Sequence, residues 1–157
     1  MATDIDAEPA APLITLDELT EALDGRTLPG AELTVEAYQS ALADHALLAP
    51  AEDSDHAHPF WLIVLALRGM GITVDELCAL AGQRSQDTLL YGTCGIEQLA
   101  PLHVGRTFRT TCTVGPVARK ESRSGGFLDF VTVRVEVRDA DELVGVVTEG
   151  FIYKRGA

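Results

Sequence analysis

The order of apolar and polar residues divides the chain into a helical first half and a β-rich second half. Thr15-Leu-Asp-Glu18 is a capping box ahead of the segment LDELTEAL, with Gly25 as its stop, and it predicts a first helix. A second helix is expected after Thr34, because apolar residues recur at helical spacing over residues 35–42. Residues 49–58 show no periodicity and predict a loop.

The segment PFWLIVLALRGMG, which starts at Pro59, is apolar on nearly every side. Proline suits the first turn of a helix, and a helix that is apolar all round is a buried one. Gly69 and Gly71 end this helix, and the capping box Thr73-Val-Asp-Glu76 predicts a short further helix that ends near Gly82. The sequence therefore predicts one central helix that is buried on all sides.

From residue 87 onward the pattern changes to period two, which is typical of strands with one buried face. The predicted buried sides consist of Phe108, Thr110, Cys112 and Val114 in a strand over residues 106–118, and of Val131, Val133, Val135 and Val137 in the next strand. Residues 122–126 and 139–142 have the composition of turns. These strands are therefore expected to form antiparallel hairpins.

A long antiparallel sheet and one buried helix leave one economical arrangement. Strands of about 10–13 residues are longer than usual, so the sheet must curve strongly. The curved sheet then wraps around the helix, which is the α+β architecture called the hot-dog fold. We expect a single domain over residues 13–157, preceded by a disordered acidic tail over residues 1–12, which is small, acidic and punctuated by proline.

Composition and charge limit the partners. The 157 residues are 46% hydrophobic and 23% charged, which is enough for a packed core. The net charge of −12 comes from residues 1–58, which hold thirteen acids and one base. Such a segment repels nucleic acid and anionic lipid, so we expect neither as a partner. The longest apolar run, Phe60–Leu67, is too short to span a bilayer.

Cysteine usage and the missing motifs limit the compartment and the cofactors. Cys78, Cys94 and Cys112 are widely spaced, lie in apolar surroundings and are expected to be reduced core residues. Reduced cysteines indicate a cytoplasmic protein, and so does the lack of a signal-peptide pattern at the N-terminus. His56-Ala-His58 has no second ligand pair, and Gly69-Met-Gly71 is too short for a dinucleotide loop. The sequence predicts neither a metal nor a cofactor.

Three segments have the spacing of a known family. The first is Tyr91–Gly105, which contains Gly, Gln, Pro-Leu and Gly in that order. The second is Arg138–Gly145, which contains an Asp-Ala-Asp-Glu turn, and the third is the helical segment Thr34–Asp44. Together they resemble the MaoC-like dehydratases and (R)-specific enoyl-thioester hydratases, in particular their N-terminal-type hot-dog domain. The resemblance covers residues 23–155, about four fifths of the chain.

The resemblance implies an acyl-thioester hydratase or dehydratase of fatty-acid or polyketide metabolism. Members of the family add water to 2-enoyl thioesters of CoA or acyl-carrier protein, or remove it from the 3-hydroxyacyl forms. An Asp and a His in the motif Asp-x-Asn-Pro-aliphatic-His precede the central helix. The His accepts a proton, and the Asp positions water or protonates the leaving hydroxyl. A backbone N–H at the helix N-terminus polarises the thioester carbonyl.

Two placements of this catalytic pair are open. When the preceding helix is used for the alignment, the Asp is Asp44, and Ala49 stands where the family has His. Asp53 and His58 have the five-residue spacing of the family, but the apolar helix follows them at once. The resemblance therefore implies Asp44, Asp53, His56 and His58 as catalytic candidates. Structural alternatives are a helix end for Asp44 and a solvated loop or a helix cap for the histidines.

Substrate contacts are expected at the start of the central helix and on a basic hairpin. Pro59, Phe60 and Trp61 open the apolar helix and are candidates to line an acyl tunnel, although Trp61 is also explained as a core residue. CoA and the carrier-protein arm carry phosphate groups. Arg119 and Lys120 are our candidates to bind them.

Three functions remain open from the sequence, and all three have an acyl thioester as ligand. The first is the hydratase or dehydratase. The second is a non-catalytic hot-dog subunit that shapes the acyl tunnel of a catalytic partner, in a homodimer or a hetero-oligomer. The third is a hot-dog thioesterase, for which a carboxylate on the central helix is common. Phe60–Leu67 contains no carboxylate, which counts against the third.

Overall fold

The computed structural model describes residues 11–50 and 55–156. Most of the predicted tail and the candidate Asp53 lie outside the described residues. The helices are α1 (Leu16–Leu23), α2 (Ala37–Ala46), α3 (Trp61–Gly69) and α4 (Val74–Leu80). The strands are β1 (Thr27–Leu28), β2 (Glu32–Thr34), β3 (His56–Ala57), β4 (Thr88–Gln98), β5 (Leu102–His103), β6 (Thr107–Val114), β7 (Ala118–Glu121), β8 (Phe127–Asp139) and β9 (Glu142–Lys154).

Seven of these strands form one antiparallel sheet in the order β1-β6-β8-β9-β4. Strand β2 also pairs with β6, and β7 pairs with the first part of β8. The hairpin strands β8 and β9 are each 13 residues long, which confirms the expectation of long strands. The buried face of β8 also follows the predicted alternation, and its four valines are fully buried.

Helix α3 packs on the inner face of the sheet, against β6, β8, β9 and β4. No residue from Trp61 to Leu67 is exposed, as expected for a helix that is apolar all round. Two glycines allow the close approach. A Cβ at Gly145 would lie 2.6 Å from a Leu62 methyl carbon, and a Cβ at Gly69 would lie 2.5 Å from the Thr110 methyl carbon. The helix therefore crosses the sheet from β9 to β6.

Hydrogen bonds hold the C-terminal end of α3. The carbonyl of Gly69 accepts from Thr110 Oγ1 at 2.6 Å and from Cys112 Sγ at 3.1 Å. The hydroxyl of Thr110 also accepts from the Ala31 N–H at 2.8 Å. One side-chain pair on β6 thus fixes the last turn of the helix to the sheet.

The starts of the helices show where local sequence decides and where it does not. Both predicted capping boxes form, with Thr15 Oγ1 accepting from the Glu18 N–H at 3.2 Å and Thr73 Oγ1 from the Glu76 N–H at 3.1 Å. The predicted start of the second helix at Thr34 is wrong. Thr34 ends β2 opposite Thr107, and the N-cap is Glu36. Because Thr34 pairs with β6, it stays in the sheet, and the helix begins only after Glu36.

Two further expectations require correction. Residues 56–57 form β3, which pairs with β5 in a separate two-stranded sheet, instead of the predicted loop. Among the cysteines, Cys112 is buried and Cys78 is half-buried, but Cys94 is exposed. Cys94 lies on β4, the edge strand, where the inner face of the sheet extends beyond the helix. None of the helices in the described part of the chain is long and apolar enough to span a bilayer.

A network of buried charges, here called the Arg155 network, joins the end of β9 to β8 and to the segment after α4. Arg155 Nε donates to Asp129 at 2.7 Å, and Arg155 Nη1 donates to Asp87 at 3.0 Å. Arg119 adds two bonds to Asp129, and Arg84 adds three to Asp87. Burial alone would raise the pKa of Asp87. Hydrogen bonds from Arg84, from the N–H of Gly156 and from Arg155 outweigh burial and lower this pKa to about 2.

Candidate functional site

A pocket of about 280 Å³ lies before the N-terminal end of α3. Its lining residues are Asp44, Ala49, Pro50, His56, Ala57, His58 and Pro59. Three of the four catalytic candidates from the sequence therefore share one cavity. The fourth, Asp53, lies in the segment that the structure does not describe. The pocket contains a carboxylate and two imidazoles, the side chains most often used for proton transfer.

The end of α2 brings Asp44 to this pocket. After the helix the chain reverses at Leu48, which has a φ of 53°. The N–H of Ala49 then donates to the carbonyl of Asp44 at 2.9 Å, so the two residues lie side by side. Asp44 and Ala49 are the positions at which the resemblance places the family's Asp and His. At these two positions the chain thus has the aspartate, but an alanine in place of the imidazole.

Strand β3 supplies the first imidazole. His56 pairs in register with His103 of β5, and the two rings meet edge to face with centroids 4.7 Å apart. The N–H of Val104 donates to the carbonyl of Asp55 at 2.8 Å and extends this small sheet. Ala57 points inward and is buried, so His56 on the other side of the strand faces outward. The β3–β5 pairing therefore holds His56 at the pocket.

His58 supplies the second imidazole and also caps the turn that leads into α3. Its Nδ1 accepts from the N–H of Phe60 at 3.1 Å. A neutral imidazole that accepts at Nδ1 carries its proton on Nε2. His58 therefore offers an N–H donor at Nε2, while its ring holds the turn before the helix and makes no cap bond within α3 itself. Pro59 lies in this turn, before the helix and not in its first turn.

The backbone N–H groups at the start of α3 are already bonded. Trp61 and Leu62 donate to the carbonyls of His58 and Pro59 at 2.9 and 3.0 Å, and Phe60 donates to the His58 ring. These three groups are thus unavailable to polarise a thioester carbonyl, which is the role that the resemblance implies for a helix N-terminus. A substrate carbonyl would need a donor other than these, such as Nε2 of His58.

The remaining substrate-binding candidates do not line the pocket, except for Pro59. Phe60 is 40% exposed, whereas Trp61 is 9% exposed and its buried Nε1 has no partner within the described residues. Arg119 is bonded to Asp129 and to the carbonyl of Ile14, so its donors serve the fold. Lys120 lies over the ring of Phe130, 5.2 Å from its centroid. Phosphate binding by Arg119 and Lys120 stays a prediction.

Sequence analysis missed a second polar group, formed by Glu149 on β9 and Tyr91 on β4. Glu149 is fully buried, and its Oε1 accepts from the Tyr91 hydroxyl at 3.4 Å. Its Oε2 has no hydrogen-bond partner within the described residues. Burial raises the pKa of Glu149 to about 7. The available signal was a carboxylate on the apolar side of a period-two strand, between Val147 and Phe151.

Within residues 11–50 and 55–156, no three His, Cys, Asp or Glu side chains are grouped as metal ligands would be. The described pocket offers Asp44, His56 and His58 as proton donors and acceptors.

With the sheet wrapped around α3, the protein has the hot-dog fold, and solved structures of that fold resemble it along most of its length. The ChsH1-ChsH2 complex from Mycobacterium tuberculosis has a chain with a TM-score of 0.64 and 13% identity, covering 90% of each chain. A chain of the HadBC (3R)-hydroxyacyl-ACP dehydratase complex from the same organism gives 0.63 and 14%, covering 83% of this chain and 96% of that one.

A third structure, the MaoC-like dehydratase from Rhodospirillum rubrum, gives a TM-score of 0.59 and 18% identity, over 92% of this chain and 99% of that one. At these identities the likeness establishes the fold. No family model matches the sequence, and a search of curated proteins finds no significant match. The activity therefore has to be argued from the site itself.

Proposed function

We propose that this protein is a hydratase or dehydratase of 2-enoyl or 3-hydroxyacyl thioesters, with CoA or acyl-carrier protein as the handle. One observation carries the proposal: Asp44, His56 and His58 come from separate elements and line one pocket before α3. This is where the MaoC-like resemblance requires an Asp and a His. The dehydratases among the solved structures of the same fold agree with this assignment.

The tautomer of His58 assigns the roles within the pocket. Hydration forms a C–O bond at C3 of the enoyl thioester and a C–H bond at C2, so a proton must leave the attacking water and a proton must reach C2. His58 carries its proton on Nε2 and keeps it, because its loss would leave an imidazolate, so this N–H is suited to donate a hydrogen bond to the thioester carbonyl. Asp44, or else His56, accepts the proton of the attacking water and returns it to C2. Dehydration follows the same steps in reverse.

A second candidate function, that of a non-catalytic subunit in a hot-dog oligomer, is favoured by the edge of the sheet. Among the described strands, β4 pairs only with β9, so the other edge of its 11 residues is open. Four large apolar side chains along it are 44–50% exposed, namely Leu90, Tyr91, Ile96 and Leu99. An open, apolar edge of this length is a site for pairing with another chain.

The two complexes among the similar structures, ChsH1-ChsH2 and HadBC, support an assembly of this kind. We propose that β4 forms the subunit interface, either with a second copy of this chain or with a different hot-dog subunit. Such pairing would use the backbone of the edge strand.

The test is a hydration assay with crotonyl-CoA and longer 2-enoyl-CoAs, followed by the loss of enoyl absorbance. Asp44→Asn and His58→Asn are the decisive variants. Asparagine at 58 keeps an oxygen that can accept from the Phe60 N–H, so the turn survives while the imidazole is removed. We expect each variant to lose about 10²–10⁴-fold in kcat, the range for removal of a general base or of a hydrogen-bond donor to the substrate carbonyl.

His45→Ala is the matched control, because His45 neighbours Asp44 in the last turn of α2 but does not line the pocket. It should retain wild-type turnover. Full activity in Asp44→Asn and His58→Asn would remove the pocket from the reaction. If folded wild-type protein hydrates none of the enoyl-CoAs, the enzyme proposal fails and the subunit proposal is tested by adding candidate partner chains.

A further inference from the structure

Although helix α3 contacts β4, side chains on the inner face of this strand remain exposed. Cross-strand pairs put Tyr91 opposite Phe151, Cys94 opposite Glu149 and Ile96 opposite Val147, so all six side chains share one face. On β9 the three partners are buried, whereas Tyr91, Cys94 and Ile96 on β4 are exposed. We call these three residues the inner β4 strip. It is an apolar surface beside the core, apart from the Tyr91 hydroxyl.

Behind this strip lies a carboxylate that the fold does not satisfy. Glu149 is 0% exposed, and its Oε2 has no partner in the described part of the chain. Its other oxygen has only the Tyr91 hydroxyl at 3.4 Å, a long and weak bond. Leaving a buried polar group without a partner is unfavourable, because the group has lost its hydrogen bonds to water. A carboxylate kept at such a cost is a candidate for binding something outside the fold.

The carboxylate is oriented toward the inner β4 strip. Tyr91, to which it is bonded, stands on the edge strand and is 47% exposed. Cys94, directly opposite Glu149, has a short side chain and is exposed as well. A rotation of the Tyr91 ring would therefore be enough to open Glu149 to a ligand that lies along the strip. Neither β8 nor the helix has to move.

We infer that Glu149 and Tyr91 form a hydrogen-bonding subsite on the inner β4 strip, which holds a hydroxyl group on the otherwise apolar chain of an acyl ligand. The inference rests on the proposed function in one respect, since it takes an acyl thioester as the ligand. It goes further by placing a hydroxyl elsewhere on the acyl chain than at C3, where the proposed reaction occurs, and by naming the residues that bind it.

The chemistry around Glu149 favours a neutral hydroxyl over a charged group. Its neighbours on the inner face are Val133, Val147, Phe151, Cys94 and the Tyr91 phenol, none of which carries a positive charge. An anionic ligand would meet no cation here and would be repelled whenever the carboxyl is ionised. A hydroxyl can donate to the free Oε2 and accept from Tyr91, so it completes both groups at once. A plain acyl chain would leave Oε2 unpaired.

Binding measurements with matched acyl-CoAs test the inference. Isothermal titration would compare dodecanoyl-CoA with a set of hydroxydodecanoyl-CoAs in which the hydroxyl is moved along the chain beyond C3. A site built to pair a ligand hydroxyl discriminates against the analogue that lacks it. We expect at least one position to bind about tenfold more tightly than dodecanoyl-CoA. The preference should disappear in Glu149→Met and weaken in Tyr91→Phe.

The variants are chosen so that loss of folding cannot imitate the result. Methionine has nearly the volume of glutamate and suits the apolar surroundings, so Glu149→Met should fold and should still bind dodecanoyl-CoA as the wild type does. Glu149→Gln, which keeps a hydrogen-bonding group, should retain part of the preference. Glu142→Gln is the matched control, a carboxylate on the same strand that is exposed. It should leave the preference unchanged.

Two further readouts do not depend on affinity. The preferred ligand should protect Cys94 from alkylation, with the modified residue located by mass spectrometry, and it should shift the infrared carbonyl band of protonated Glu149. The inference is overturned if no hydroxyl position is preferred, or if the preference persists in Glu149→Met. Failure of every acyl-CoA to bind would overturn the proposed function as well, whereas equal binding of plain and hydroxylated chains overturns only the subsite.

Discussion

The Arg155 network and the Glu149 subsite both place charged groups inside the same sheet, yet they are partnered in opposite ways. In the network, Arg155 bonds to Asp87 and Asp129, and its remaining donors reach the carbonyls of Ala81 and Gly82. At the subsite, Glu149 has one weak bond and one unpaired oxygen. The first arrangement is closed and serves the fold. The second is open, which is what a binding group requires.

The pKa values show the same contrast. Hydrogen bonds overcome the effect of burial at Asp87 and hold its pKa at about 2, so this carboxylate is ionised under all ordinary conditions. Burial dominates at Glu149 and raises its pKa to about 7, so this group changes charge near neutrality. Burial alone therefore does not decide the state of a carboxyl group. The number and charge of its hydrogen-bond donors do.

The largest loss of stability is expected from removing one carboxylate of the Arg155 network. Asp129→Ala leaves the buried guanidinium of Arg155 with one carboxylate fewer and removes the partner of Arg119. Breaking a buried ion pair by removing one side costs about 3–5 kcal/mol. Thermal and urea unfolding, followed by circular dichroism, should show a fall in stability of that size.

Asp139→Ala is the matched control for this experiment. It breaks the ion pair with Arg106, whose side chain is 58% exposed, and should cost about 0–1 kcal/mol. If the two variants lose the same stability, the Arg155 network contributes no more to the fold than a surface ion pair does.

A smaller effect is expected from Glu149→Gln, and this substitution should raise stability above neutral pH instead of lowering it. The pKa of Glu149 is raised from 4.5 to about 7 in the folded protein, so the unfolded chain loses this proton first as the pH increases. Stability should therefore fall as the pH rises from about 4.5 to about 7, by about 3 kcal/mol in total. Glu149→Gln, which cannot ionise, should lack this fall. Unfolding of both proteins by urea at pH 5 and pH 8 measures it.

The wild type and Glu149→Gln should thus have similar stability at pH 5 and differ at pH 8, with the variant the more stable. Parallel curves for the two proteins over this range would show that Glu149 does not ionise inside the fold in this way. An equal loss of stability in Glu149→Gln at both values would show that the carboxylate is a structural group like Asp87.

The smallest effect is expected from Tyr91→Phe. The long hydrogen bond from Tyr91 contributes little, so stability should change by about 0.5 kcal/mol. This bond lowers the pKa of Glu149, and its loss should raise that pKa further. Titration of the Glu149 carboxyl carbon by NMR would measure the change. A lower pKa in Tyr91→Phe would mean that water replaces the phenol, and that the subsite is already open to solvent.

The fold could be predicted well from the sequence wherever a local pattern is repeated. The valines of β8 and the apolar residues of α3 repeat over whole elements, and such periodicity outweighs single exceptions. The start of α2 could not be predicted, because Thr34 is held by a strand that begins 73 residues later in the chain. Cys94 was misassigned for a related reason: only the position of α3 decides which part of the sheet is covered.

The site was only partly predictable. The resemblance and the spacing identified Asp44, His56 and His58, but their meeting in one pocket depends on the turn after α2 and on the pairing of β3 with β5. Neither pairing partners nor turn conformations of this kind have a local signal. Glu149 was visible as a carboxylate in an apolar alternation. Its significance depends on a missing partner, which only the packed structure reveals.

The attachment of α3 has a consequence for how this protein can diverge. Gly69 is gripped by Thr110 and Cys112, and no side chain larger than hydrogen fits there, so the C-terminal turn of the helix cannot slide or rotate. The opposite end meets the pocket through a short turn capped by His58. Substitutions that adapt the pocket to larger or smaller ligands are therefore expected around the turn before α3, while the C-terminal turn of the helix keeps its position.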